Sequence, residues 1–217
     1  MRPTLRARFA PAAVAALAAL VAAASAALPA APSQAKKAPA AASPVPVPPP
    51  PPPASGPVTA AEATGYAATS TYAEVMAFIR GLQKLSPLVR VETVCVTTEG
   101  REVPLLVIGK PVPLDPRELR HDKRAVVYVQ ANIHAGEVEG KEAALMLARD
   151  IVLDPRLPYL DQVVLLVAPI FNADGNDRMS PDNRRGQVGP EKGSGVRHNG
   201  QNLDLNRDGM KLESPEM

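Results

Sequence analysis

The fold is decided by residues 125–140, which read AVVYVQANIHAGEVEG. The stretch Ala125–Gln130 is rich in Val and Tyr, which is typical of a buried β-strand. Residues 138–152 carry apolar side chains at helical spacing and predict a helix, with one buried face made of Ala144, Leu147, Ala148 and Ile151. A strand that runs through a tight turn into a helix indicates an α/β unit.

The flanking segments extend this α/β pattern. A helix is predicted from a cap at Ser70 or Thr71, followed by Glu74, to Leu85. Residues 89–96 and 103–108 predict two strands joined as a hairpin by the turn at 99–101, and 162–169 is another continuous apolar strand. We therefore expect an α/β fold with a mixed, mostly parallel sheet and helices on both faces.

The first 57 residues differ in composition from the rest. Arg2, Arg6 and Arg8 precede an apolar run at 13–24 and the small residues at 24–26, which predicts a signal peptide over residues 1–26. Because that run is shorter than the roughly 20 residues of a spanning helix, we expect no stable membrane insertion after signal cleavage. Residues 27–57 predict a disordered tether rich in Pro and Ala. Residues 58–217 are the expected folded part, and the protein is expected to be secreted or periplasmic.

Charge and cysteine content exclude two classes of protein. Residues 1–57 hold five basic and no acidic side chains, which leaves 19 basic and 22 acidic side chains in the remainder. A slightly acidic body lacks the positive field that attracts nucleic acid, so we expect no nucleic-acid partner. A single cysteine, Cys95, excludes a framework of intrachain disulfides.

Candidate site residues follow two of the predicted strands. In α/β sheets ligands bind beyond the carboxyl ends of the strands, which here means residues 132–140 and the segment from Asn172 onward. His134 and Glu137 share a tight turn, and an imidazole and a carboxylate so spaced suit Zn²⁺, with ligand distances of about 2.0–2.2 Å. The alternative is a packed histidine and a glutamate that interacts with the dipole of the next helix.

Two further motifs accompany the His-x-x-Glu turn. Residues 172–175 read NADG after a strand, and residues 197–208 read RHNGQNLDLNRD. In this order the three motifs resemble those of the zinc carboxypeptidases of the carboxypeptidase A type, and the resemblance covers about residues 72–216. It implies a carboxypeptidase-like fold and a zinc-dependent enzyme that removes C-terminal residues from peptides by metal-activated water.

The resemblance also implies roles for particular residues. His134 and Glu137 match zinc ligands, and Asp204 matches the aspartate that accepts the other ring N–H of the zinc histidine. Asn206 and Arg207 match the pair that binds the free C-terminal carboxylate of a peptide or acyl-amino-acid substrate.

An arginine completes the implied catalytic set. Arg197 resembles the arginine that polarises the scissile carbonyl and stabilises the oxyanion, with Arg184 and Arg185 as rivals for that role. The family also uses a second zinc histidine and a catalytic glutamate downstream of the Asn206–Arg207 segment. Since the sequence stops at Met217, we expect the N-terminal part of a catalytic domain, truncated at its C-terminus and inactive alone.

Two alternatives stay open from the sequence. One keeps the fold but makes the protein a related zinc amidohydrolase or deacylase, or a non-catalytic binding relative. The other is a calcium-binding module at residues 204–209, which read DLNRDG and fit the first half of an EF-hand loop. Its twelfth position is Pro215, where that loop needs a glutamate.

Overall fold

The computed structural model describes residues 55–154 and 158–217. The predicted signal peptide and most of the predicted tether, residues 27–54, lie outside the described residues. The elements are helices α1 (Ala60–Ala63), α2 (Tyr72–Leu85), α3 (Val138–Leu153) and α4 (Ala173–Asn176), and strands β1 (Val89–Val96), β2 (Glu102–Ile108), β3 (Ala125–Gln130) and β4 (Val163–Ala168). None of the described helices is long and apolar enough to cross a membrane.

The four strands form one mixed sheet in the order β1-β2-β4-β3. This confirms the mixed α/β fold and the predicted hairpin, since β1 and β2 pair antiparallel across a short turn. The share of parallel pairing is lower than predicted: β2 and β4 are also antiparallel, and among the described strands only β3 and β4 pair in parallel. The hairpin accounts for the difference, because strands joined by a tight turn must run in opposite directions.

Both long helices pack into one apolar cluster with the sheet. α2 begins at a capping box formed by Thr71 and Glu74, as predicted. α3 contributes Ala144, Leu145, Ala148 and Val152 to the core, so its buried face is rotated from the prediction, and Leu147 is 42% exposed. Leu147 instead borders an open groove beside β3.

The face of the sheet that is turned away from α2 and α3 is not covered by an α-helix among the described residues, whereas the sequence predicts helices on both faces. Val107 and Leu166 pair across β2 and β4 and line a groove whose other wall is the segment 113–119. In the part of the chain that the structure describes, this segment leads into a 3₁₀ turn, Glu118–Arg120, and holds no α-helix. Its prolines, Pro113 and Pro116, explain why, because proline interrupts the hydrogen-bond pattern of a helix.

A lysine on α3 is buried against the segment just before α2 and the short helix α4. Lys141 is 0% exposed, and its Nζ donates to the backbone oxygen of Ser70 and to Asn176 Oδ1, the latter at 2.6 Å. The Glu142 carboxylate lies 3.8 Å away. Burial lowers the pKa of Lys141 to about 8, and a neutral amine retains the two N–H donors that the two acceptors need.

We expect the stability of the fold to rise with pH because of Lys141. Between pH 8 and the unfolded pKa of about 10.4, the unfolded chain holds a proton that the folded chain has released, so the free energy of unfolding increases by about 3 kcal/mol. Lys141→Met should abolish most of this rise, measured by urea unfolding between about pH 7.5 and pH 10. An equal rise in wild type and Lys141→Met would assign it to other groups.

Candidate metal centre

The carboxyl ends of β3 and β4 hold the candidate site together. The Asn172 N–H donates to the backbone oxygen of Asn132 at 3.0 Å, which joins the two strand ends. The Asn172 side chain accepts from the Gly175 N–H at 2.9 Å and donates to the Arg197 backbone oxygen at 3.1 Å. The NADG turn therefore anchors the loop that carries the third motif beneath the turn at His134.

Glycine at position 195 permits this close approach of the loop. A Cβ atom there would lie 2.6 Å from the Gly175 oxygen and 2.9 Å from the Ala135 Cβ. Contacts this short are excluded for real side chains, so the loop reaches the His-x-x-Glu turn only because residue 195 is glycine.

His134 is the centre of the cluster, and both of its ring nitrogens face carboxylates. The residue is 4% exposed; Nδ1 lies 3.0 Å from Glu137 Oε1, and Nε2 lies 3.0 Å from Asp204 Oδ1. A neutral imidazole carries one N–H, which leaves one ring nitrogen presenting a lone pair to a carboxylate. If the single N–H faces Asp204, the lone pairs of Nδ1 and Oε1 face each other, an arrangement that a bound cation would stabilise; without a metal, a second ring proton on Nδ1 lets His134 donate to both carboxylates.

This donor pair fits the zinc ion that the resemblance implies. Imidazole nitrogens and carboxylate oxygens are common zinc ligands in proteins. Asp204 on the other ring nitrogen would fix the tautomer that leaves Nδ1 free to bind a metal. In the described ranges, no group of three or more His, Cys, Asp or Glu side chains could hold a metal ion. His134 and Glu137 thus offer two converging donors, with Asp204 on the far side of the ring.

Arginines neutralise both carboxylates. Arg184 NH2 donates to Glu137 Oε1 at 2.7 Å, and Arg197 Nε donates to Asp204 Oδ2 at 2.9 Å. Burial alone would raise the pKa of Glu137, but the hydrogen bonds from Arg184 and His134 hold that pKa below its ordinary value. The pKa of Asp204 is lowered in the same way, since hydrogen bonds from His134 and Arg197 outweigh burial.

The three candidate arginines are thereby separated by position. Arg184 reaches Glu137 Oε1, the oxygen next to His134 Nδ1, and Arg197 reaches the aspartate on the other side of the His134 ring. Arg185 pairs with Asp182 at 3.2 Å on the surface, with 81% of its side chain exposed. Two of the three arginines that the sequence offers for the oxyanion role therefore belong to the cluster.

Asn206 and Arg207 lie beside the cluster and not in it. They belong to a 3₁₀ turn, Leu205–Arg207, in which the Asn206 N–H donates to Asp204 Oδ1 at 3.0 Å. Both side chains are exposed, and Arg207 NH1 donates to the Asn206 backbone oxygen at 2.8 Å. Among the described residues, no hydrogen bond or ion pair joins either side chain to His134 or Glu137.

The calcium alternative does not fit the geometry of residues 204–209. Asp208 accepts hydrogen bonds from the Glu213 and Ser214 N–H groups, at 3.0 and 2.8 Å, and from the Ser214 hydroxyl at 2.7 Å. Asp204 is bound to His134 and Arg197. With these two carboxylates turned to protein donors and Pro215 at the twelfth position, this loop lacks the ligand set of an EF-hand, including its bidentate glutamate.

Two residues of this region carry no assignment from the sequence. Asp174 is 0% exposed and accepts hydrogen bonds from the tip of the β1–β2 hairpin, including Thr97 at 2.7 Å and Arg101 at 2.9 Å. Asn132 precedes the His-x-x-Glu turn with a left-handed φ of 61°. An asparagine at the end of a predicted strand is the signal that could indicate such a conformation.

The model of the zinc carboxypeptidase family matches residues 75–210, more than half of the chain. The protein therefore belongs to the zinc carboxypeptidase family, which confirms the resemblance seen in the sequence. A search of the curated proteins found no match.

Several solved carboxypeptidases are similar to parts of the chain. A metallo-carboxypeptidase from Burkholderia cenocepacia is 24% identical over 68% of this chain and 36% of its own, with a TM-score of 0.49. Carboxypeptidase A from Helicoverpa armigera is 21% identical over 62% and 30%, with a TM-score of 0.45. A metallo-carboxypeptidase from Pseudomonas aeruginosa in complex with (2-guanidinoethylmercapto)succinic acid is 22% identical over 67% and 33%, with a TM-score of 0.41. The chain spans about a third of the length of these proteins.

Proposed function

We propose that this protein functions as part of a zinc-dependent metallocarboxypeptidase, which removes C-terminal residues from peptides outside the cytoplasm. The observation that carries the proposal is the convergence of His134 Nδ1 and Glu137 Oε1, 3.0 Å apart, with Asp204 on the other ring nitrogen. Membership of the zinc carboxypeptidase family supports the same chemistry.

His134 and Glu137 would hold the zinc ion in this proposal. When bound, zinc supplies Lewis-acid polarisation of a carbonyl and lowers the pKa of a bound water towards 7. The role of Asp204 is to keep the proton on Nε2, so that the lone pair of Nδ1 is available to bind the metal. The second zinc histidine and the catalytic glutamate that the family uses have no assigned counterpart among these 217 residues, which by themselves should hydrolyse no peptide measurably.

Arg184 is the better candidate to face the scissile carbonyl. Its guanidinium already lies 2.7 Å from the metal-facing oxygen of Glu137, so it is close to where charge would develop during attack on the carbonyl. Arg197 is bound to the aspartate behind His134. We propose that Arg197 maintains Asp204 as an ionised acceptor, and that Arg184 stabilises the oxyanion.

Asn206 and Arg207 would bind the terminal carboxylate of the substrate. The Arg207 guanidinium is exposed and donates only to a backbone oxygen in the described structure. It therefore has free N–H donors in the fork geometry that matches a carboxylate. A substrate with a free C-terminal carboxylate is the class that this arrangement selects.

In the complete catalytic domain, Arg207→Ala should weaken cleavage of free-acid peptides by about 100-fold, since a charge-assisted bidentate contact of roughly 3 kcal/mol is lost. Cleavage of the matching C-terminal amides, already slow, should change little. The measurement is kcat/KM for each free-acid and amide pair. Lys211→Ala removes a neighbouring exposed cation and is the matched control. Equal losses on acids and amides would contradict the assigned role.

A further inference from the structure

Asn132, two residues before His134 of the His-x-x-Glu turn, has an unusual backbone conformation. Its φ is 61°, in the left-handed region, and the residue is only 4% exposed. Asparagine is one of the few residues other than glycine that adopts this conformation at low cost. Its backbone oxygen accepts the Asn172 N–H, so residue 132 also joins the ends of the two parallel strands.

The side-chain amide of Asn132 spans the turn that carries both zinc donors. Nδ2 donates to the Ala135 backbone oxygen at 3.2 Å and to the Glu137 backbone oxygen at 3.3 Å. The Glu137 N–H donates back to the His134 oxygen at 2.9 Å. These bonds fix the backbone path on which the His134 and Glu137 side chains stand.

The contacts of Asn132 are made through its N–H groups. Its Oδ1 atom is buried and has no hydrogen-bond partner among the described residues. An acceptor-only side chain at this position would set oxygen lone pairs against two carbonyl oxygens. The turn therefore requires an amide donor as well as a residue that tolerates positive φ.

We propose that Asn132 is a positioning residue for the metal centre. Through two backbone carbonyls it holds His134 and Glu137 so that Nδ1 and Oε1 face one point. The inference rests on the proposed function, because it takes those two atoms to be zinc donors. Asn132 itself contacts neither donor atom, so its effect on the metal is indirect.

Three variants of the full chain separate the hydrogen bonds from the backbone strain. Asn132→Gly keeps the freedom to adopt φ near 61° and loses both N–H donors. Asn132→Asp keeps the size of the side chain and also loses the N–H donors. It is the second test variant, used if Asn132→Gly folds poorly. Asn202→Gly is the matched control, since Asn202 has a φ of 62° and an exposed side chain.

Zinc affinity is measured by competition with a low-affinity chromophoric chelator, and the visible absorption of the cobalt(II) form reports the geometry of the donors. Asn132→Gly and Asn132→Asp should weaken zinc binding about 10- to 100-fold, the range seen when residues that orient metal ligands are removed. Both should change the cobalt spectrum, while Asn202→Gly should match wild type in both measurements.

The outcomes distinguish the inference from the function on which it rests. A wild-type chain that binds zinc, together with Asn132 variants of equal zinc affinity and unchanged cobalt spectrum, overturns the positioning role alone. Lower thermal stability of those variants with unaltered metal binding also overturns the positioning role. A wild-type chain that binds no zinc contradicts the proposed function, and the positioning role is then rejected with it.

Discussion

Zinc binding by the 217-residue chain should fall below detection in His134→Ala. Wild type offers two converging donors, His134 Nδ1 and Glu137 Oε1, and a single remaining carboxylate does not hold zinc against water. The loss should exceed the effect of any other single substitution in the cluster. Equilibrium dialysis followed by metal analysis gives the amount of zinc bound per chain.

His121→Ala is the control for this variant. His121 is exposed and lies on the connection before β3, so its removal should leave zinc binding unchanged. Zinc retained by His134→Ala in the amount bound by wild type would remove the turn from the metal centre.

Asp174→Ala should destabilise the fold by about 2–4 kcal/mol, because a buried carboxylate is removed from a partly buried ion pair and from several hydrogen-bond donors. The buried carboxylate accepts hydrogen bonds from Thr97, Thr98, the Glu99 N–H and Arg101, at 2.7 to 3.3 Å. Alanine would leave these donors of the hairpin tip without their acceptor. The measurement is urea unfolding at neutral pH, with the free energy extrapolated to water.

Asp182→Ala provides the comparison for that experiment. Asp182 forms an exposed pair with Arg185, and such surface pairs contribute about 0–1 kcal/mol. If Asp174→Ala cost no more than Asp182→Ala, the network at the hairpin tip would not stabilise the fold.

The spacing of apolar residues in the sequence is enough to predict the helices and strands. It is less informative about how these elements pack against one another. The capping box at Thr71 and Glu74, the hairpin and the strand β3 are local features, and the structure confirms all three. The buried face of α3 and the cover on the second face of the sheet depend on neighbours distant in sequence. Leu147 shows this: its spacing suits a core position, yet it borders an open groove.

The candidate site is predictable where its residues share a motif. The spacing of His134 and Glu137 and the resemblance around Asp204 point to two carboxylates that the fold places 3.0 Å from the ring nitrogens of His134. The contact between Arg184 and Glu137 crosses 47 positions of sequence, so spacing could not rank Arg184 above Arg197. The contact between Arg184 and Glu137 depends on Gly136, because a Cβ atom there would lie 2.5 Å from Arg184 Nε.

Zinc is expected to bind between His134 and Glu137. The most direct test of this expectation is an anomalous difference map, collected at the zinc absorption edge, from crystals of the zinc-loaded protein. We predict a peak about 2.0–2.2 Å from both His134 Nδ1 and Glu137 Oε1, with Asp204 remaining on Nε2. A peak elsewhere, or none at this turn in zinc-loaded crystals, would contradict the account.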